Sequence, residues 1–227
     1  SGLVGGIGLG IAMISFIYSI TNTTAAITLL CLAAMPFFTA LLAFLFLKEK
    51  ISLNVWISMI IATVGIIIMA VGNTEKNSLI GFVFGLTSSI GFSIFSVTLR
   101  WRKETPKFTT VAVAGLFCFV IATIMILANN QPFFATSYNS AMFSLHGIIV
   151  CLGLILYSIG SKAIQAAELT LLSLTEVIGG IFWVWLPLFG INEIPSTNTI
   201  VGGFFLFVSL IYYSLIMRWN KRYIALN

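Results

Sequence analysis

The chain carries six acidic residues, and none of them is aspartate. Glu176 is the one whose position matters most chemically. It stands about nine residues into an apolar run spanning 167–190, or ~13 Å along a helix, close to the centre of a bilayer. An acidic group at that depth costs roughly 2.5–3.5 kcal/mol on insertion scales, so it needs a partner or a wet cavity. Ser173, Glu176, Gly180 and Trp183 follow i, i+3, i+7, i+10 spacing and share one helical face. A hydroxyl, a carboxylate, a small gap and an aromatic wall in one stripe are suited to holding a small polar or cationic solute.

Pro36 falls in the middle of another apolar run. It has no N–H to offer the carbonyl of Leu32, so it predicts a bend with a free acceptor, the kind of break expected at a gate. Tyr18, Tyr157 and Thr39 add hydrogen-bonding candidates for the same solute. His146 is the single histidine and reads as an interfacial residue without a role. The familiar catalytic constellations are missing. Without Asp there is no aspartyl dyad and no Asp-rich magnesium site, and no GxSxG occurs. Cys31, Cys118 and Cys151 stand alone in apolar segments without CxxC spacing, so no metal site, no cofactor and no enzyme is expected. No GxxxxGK loop appears, so any driven process would draw on a gradient, with a proton as the coupling ion.

The elements that position these groups follow from composition. Hydrophobic residues make up 59% of the chain and charged ones 7%, with a mean hydropathy of +1.12. Soluble domains average about 25% charged residues, so this is the composition of a polytopic membrane protein. Apolar runs of helix-spanning length fall at about 3–20, 23–47, 53–72, 79–99, 108–128, 143–163, 167–190 and 198–217. Those eight runs predict eight membrane helices. If they alternate direction, ten of the 11 Lys and Arg residues fall on one side and only Lys76 on the other. That bias makes the side cytoplasmic, with residue 1 and Asn227 both on it. The net charge of +5 thus sets orientation and predicts no nucleic-acid partner.

One boundary is written twice. "LLAFLFLKEKIS" at 41–52 and "WLPLFGINEIPS" at 185–196 both end an apolar run on Glu (Glu49, Glu193) and resume after a Ser. Upstream, "AAITLLCL" at 25–32 matches "AELTLLSL" at 167–174. The duplication predicts two five-helix units, inverted because five is odd, with two helices expected ahead of Ser1. Both Glu residues are expected to close helices at structural turns, with Lys48 and Lys50 offsetting the charge of Glu49.

The stretch from Ala25 to Met69, with Pro36, Glu49 and Gly65, resembles the second half of an EamA repeat. "TEVIGGIFWVWLPLFGINEIPSTNTIVGG" resembles the corresponding part of a second one. The chain is therefore similar to the drug/metabolite transporter superfamily, over essentially its whole length. Two departures stand out. The first two helices of the pattern are absent, and Glu176 is followed by Val177 where many members have Pro. The resemblance implies an all-α polytopic membrane helix bundle of two inverted five-helix repeats, eight helices being present. Residues 1–72 would end the first repeat and 73–227 form the second. It further implies a multi-pass inner-membrane permease, its C-terminus cytoplasmic, exporting or exchanging a small metabolite by alternating access. The substrate is left open, as is a homodimer. A structural or channel-like membrane protein is the alternative reading.

Overall fold

The computed structural model describes residues 1–23, 25–71, 79–101, 107–133, 136–185 and 197–225. All regular structure among them is helical. Four helices are long and apolar enough to cross a membrane without interruption: α1 (Gly2–Asn22), α5 (Leu79–Trp101), α6 (Lys107–Ala128) and α7 (Ser137–Gly160). Helix α4 (Leu53–Val71) and α10 (Thr197–Ala225) are also continuous. The runs expected at 23–47 and 167–190 are each broken. The first becomes α2 (Ala25–Leu32), α3 (Met35–Leu42) and a π-helical turn at Ala43–Leu47; the second becomes α8 (Ala166–Leu172) and α9 (Thr175–Trp185). Helix α7 starts six residues before the expected 143, because the Thr136 hydroxyl caps it by accepting from the Asn139 backbone N–H at 3.4 Å. Lys76, Glu193, Pro187 and Pro195 lie outside the described residues.

Small residues set the packing. Helix α1 runs antiparallel to α5, and the two backbones nearly touch. A Cβ placed on Gly91 would sit 2.6 Å from the Gly8 carbonyl oxygen. The Ser88 hydroxyl donates to the Ala12 carbonyl at 2.8 Å, and Ser19 donates to the Gly81 carbonyl at 2.8 Å. Among apolar lipid tails no hydrophobic force draws helices together, so close van der Waals contact and such bonds must do it. Helix α4 pairs antiparallel with α10 in the same manner: a Cβ on Gly65 would lie 2.6 Å from the Gly202 carbonyl oxygen, and Ser209 donates to the Ser58 carbonyl at 2.7 Å. The largest buried cluster joins α2, α3, α4, α8, α9 and α10 through residues such as Leu29, Met35, Met59, Leu171, Val177 and Leu206.

One end of the bundle is pinned by Arg100, near the end of α5. Its Nε donates to Glu49 Oε1 at 2.7 Å, with 20% and 16% of the two side chains exposed. One of its terminal nitrogens donates to the Ser161 carbonyl at 3.1 Å and also to the Ile164 carbonyl. The partner of Glu49 is therefore Arg100, 51 residues away, and not the adjacent lysines expected from sequence. Lys48 ends its helix in the left-handed region at φ 54°, where its backbone N–H bonds the Ala43 carbonyl. Arg100 gathers the ends of α3, α5 and α7 and the turn into α8, and sets Lys48, Lys50 and Lys162 at one end of the molecule.

These contacts give two expectations. Gly91→Ala forces the α1 and α5 backbones apart and should cost about 1–3 kcal/mol as an overpacking change. Gly153→Ala, with no atom within 4 Å of its new Cβ, should stay within ~0.5 kcal/mol of the parent. Thermal unfolding midpoints in detergent compare them directly. Arg100→Gln should cost on the order of 2 kcal/mol, below the roughly 3–5 kcal/mol of a fully buried pair. Exchanging the charges as Arg100→Glu with Glu49→Arg should fail to restore stability, because the Ser161 and Ile164 carbonyls need a donor at position 100. Full recovery in the same unfolding assay would contradict that account.

Candidate functional site

The two broken helices have different chemistry at their breaks. Between α2 and α3 the Ala33 N–H reaches the Leu29 carbonyl, and the Ala34 N–H turns early onto Cys31. Pro36, buried in the first turn of α3, has no N–H for the Leu32 carbonyl. Helix α5 supplies donors here. The Ser89 hydroxyl donates to the Cys31 carbonyl, and Ser93 donates to the Met35 carbonyl at 3.1 Å. Interhelical bonds of this kind average ~0.6 kcal/mol each in membranes. Thr39 lies one turn further along α3. Its hydroxyl is fully buried and is the one buried side-chain polar atom among the described residues without a partner.

Between α8 and α9 the chain bends with no proline. Glu176 N–H bonds Ser173 and Val177 N–H bonds Leu174, each one residue short of the α-helical step, which frees the Leu172 carbonyl. The Thr175 hydroxyl, a local donor, takes that carbonyl at 2.9 Å, and the Ser173 hydroxyl takes the Thr170 carbonyl at 2.7 Å. This break therefore arises where the sequence has Glu-Val, because local hydroxyls do the work of a proline.

Glu176 sits in the first turn of α9 with its side chain exposed from the protein. The other members of the expected stripe separate from Glu176. Ser173 lies in the break and spends its hydroxyl on its own helix. Gly180 faces α2, where a Cβ would meet Leu29 at 3.1 Å, so it closes a helix contact and offers no gap to a solute. The Trp183 side chain lies outside the described residues.

Tyr157 is held on three sides. Its hydroxyl shares a 2.7 Å hydrogen bond with Ser96, Phe92 meets it edge-on at 5.1 Å, and Phe95 stacks at 5.8 Å. Phe92 packs against both this group and the large central cluster. Tyr18 is elsewhere. It stacks on Phe84 at 5.1 Å and donates to the Met125 sulfur at 3.5 Å. Phe84 and Ser96 are 12 residues apart on α5, so about 18 Å of helix separates the two tyrosines. His146 is exposed on α7.

Sequence reasoning passed over Ser89, Ser93 and Ser96, although their i, i+4, i+7 spacing marks one face of α5. It also passed over Glu168. That carboxylate is 8% exposed in the first turn of α8, within reach of the Tyr213 hydroxyl on α10. The aligned repeat was the available signal, since Glu168 stands where the other copy has Ala26.

Residues 1–71 match the EamA-like transporter family. An uncharacterized transporter of Helicobacter pylori is 28% identical over 130 residues, covering 57% of this chain but 44% of that protein. The pseudopaline exporter CntI of Pseudomonas aeruginosa is 23% identical over 212 residues, covering 92% of this chain and 72% of the exporter. An uncharacterized transporter of Clostridium kluyveri is 26% identical over 219 residues, covering 92% and 69%. The chain thus spans under half of the Helicobacter protein and about seven-tenths of the other two. A protein crystal structure superposes with a TM-score of 0.69 at 16% identity, covering 94% of this chain and 77% of the other, and establishes the shared fold. Its first 71 residues thus match the EamA-like transporter family, and over most of its length the chain is similar to proteins named as transporters and as an exporter.

Proposed function

We propose that the protein moves a small, amine-bearing metabolite across the inner membrane by secondary active transport. The observation that carries this reading is Glu176: a carboxylate in an apolar chain, exposed in the first turn of α9 just past a helix break. Intramembrane carboxylates of this kind mark solute and ion pathways. In the proposal Glu176 takes the cationic group, or a coupling proton in its absence. Tyr157 and Phe92 provide the aromatic wall. Thr39, with its unsatisfied hydroxyl, and Pro36 belong to α3 and would serve binding and gating there. Ser173 supports the break, and Trp183 and Tyr18 remain candidates for the path in and out.

Alternating access would work between two inverted repeats, 1–72 and 73–227. The opposed directions of α4 and α10, and the breaks in both α2/α3 and α8/α9, support that division. Lys48, Lys50, Arg100 and Lys162 share one end of the bundle, which supports a cytoplasmic assignment for that end and for the C-terminus. Export or exchange is the favoured direction, by similarity to an exporter.

The test is a thermal-shift screen of small metabolites on the detergent-purified protein, run beside Glu176→Gln. A solute at 100 times its dissociation constant adds ~2.7 kcal/mol, or a midpoint rise of roughly 5–10 °C for a chain of this size. Amine-bearing solutes should give that rise with the parent and lose it with Glu176→Gln. Tyr157→Phe keeps the ring contacts, should cost the fold only ~0.6 kcal/mol, and should retain part of the shift. An undiminished shift in Glu176→Gln would remove Glu176 from the site. Absence of any ligand across a broad panel would favour a structural or channel-like protein.

A further inference from the structure

We infer that Glu168 and Tyr213 form a proton-binding site, separate from Glu176, at which the carboxylate of α8 takes up and releases a proton. Glu168 is 8% exposed and Tyr213 4%. The Tyr213 hydroxyl donates to the carboxylate and so joins α10 to α8. The surroundings are apolar: Ala167 and Leu171 of α8 share one buried cluster with Leu206, Leu210 and Tyr213 of α10. A carboxylate so placed is costly as an ion, because its charge has lost water and gained one neutral donor. The repeated segment does not itself require an acid, since the other copy has Ala26 at the matching position.

Among the described residues no cation pairs with Glu168. Helix α8 packs chiefly on α3 and α5. The first has no titratable side chain, and Arg100 of the second is committed to Glu49 and to the Ser161 and Ile164 carbonyls. Of the other helices in the apolar cluster, α4 has no titratable group and α2 only Cys31. Helix α9 has Glu176, and α10 has Tyr212 beside Tyr213. A hard metal cation would need about six oxygens, and one carboxylate with one phenol falls short of that. A proton needs a single lone pair. It binds one carboxylate oxygen while the other keeps the Tyr213 bond. Glu168 stands in the first turn of α8, directly after the segment that Arg100 ties, so the proton has a short way in from that end. Hydrogen bonds to an ionised acceptor are roughly twice as strong as neutral ones, so taking up the proton loosens α8 from α10.

Infrared difference spectroscopy tests this without any substrate, so the result is independent of the proposed transport. Spectra of the protein in liposomes are recorded across the physiological pH range and subtracted. The parent should show a carboxylic-acid C=O band that grows on acidification. Glu168→Gln should lose that band and Glu176→Gln should keep it. Tyr213→Phe should move it to higher frequency, because the C=O group loses its donor. Loss of the band in Glu176→Gln instead would assign the proton to Glu176 and overturn the inference. A parent with no such titrating band would make the Glu168–Tyr213 bond purely structural. Should Glu168→Gln fail to fold, Tyr213→Phe decides alone: a band at the parent frequency there would also overturn the site.

Discussion

A carbonyl in the hydrocarbon interior has no water to turn to, so every bend in a membrane helix must bring its own donor. That constraint governs this protein, whose central elements are two helices that each stop and restart inside the bundle. Pro36 creates the first interruption and local hydroxyls accommodate the second. At the second the Thr175 hydroxyl takes the freed carbonyl, and at the first the Ser89 and Ser93 hydroxyls reach carbonyls on either side of the break. The difference lies in whose hydroxyls they are.

Helix α5 is the post on which most of this depends. One length of it, against α1, is glycine and serine that let two backbones meet. Its serines reach the Cys31 and Met35 carbonyls on either side of the first break, Ser96 fixes the Tyr157 hydroxyl, and Arg100 ties three other segments at its end. These roles require small polar side chains, and buried Ser88, Ser89, Ser93 and Ser96 account for the low hydropathy of this span beside α6. Serine in a membrane helix can turn its one proton to its own i−4 carbonyl, and Ser93 has Ser89 at 2.7 Å as that alternative to Met35. The same residue is thus tolerated before the bundle assembles and useful after.

Glu176 is placed by the same logic. The break ahead of it shortens the first turn of α9 and leaves Glu176 exposed, while Val177 enters the core. In a continuous helix Ser173, Glu176 and Gly180 would share a face. The interruption takes Ser173 out of that register, and Gly180 is turned to α2. Tyr157, on α7, is fixed separately by a serine and two phenylalanines.

Sequence by itself determined the class of molecule, the number and approximate limits of its apolar runs, and the bend at Pro36, and it gave Glu176 an expected depth. Each of these is local: apolar length against bilayer thickness, a missing N–H, a charge at a countable depth. The break at 173–174 was not legible, because three hydroxyls spaced among leucines read equally well as an unbroken helix. The partner of Glu49 was not legible either, since Arg100 is 51 residues distant and two lysines stood closer. Only the tertiary structure decided which candidates meet. Tyr157 meets α5 at Ser96 and Tyr18 meets it at Phe84, 12 residues apart, so these two candidates do not share a site. Helical periodicity fixes the face on which a residue lies, but the register between helices is set by glycine contacts and serine bonds that no single segment contains.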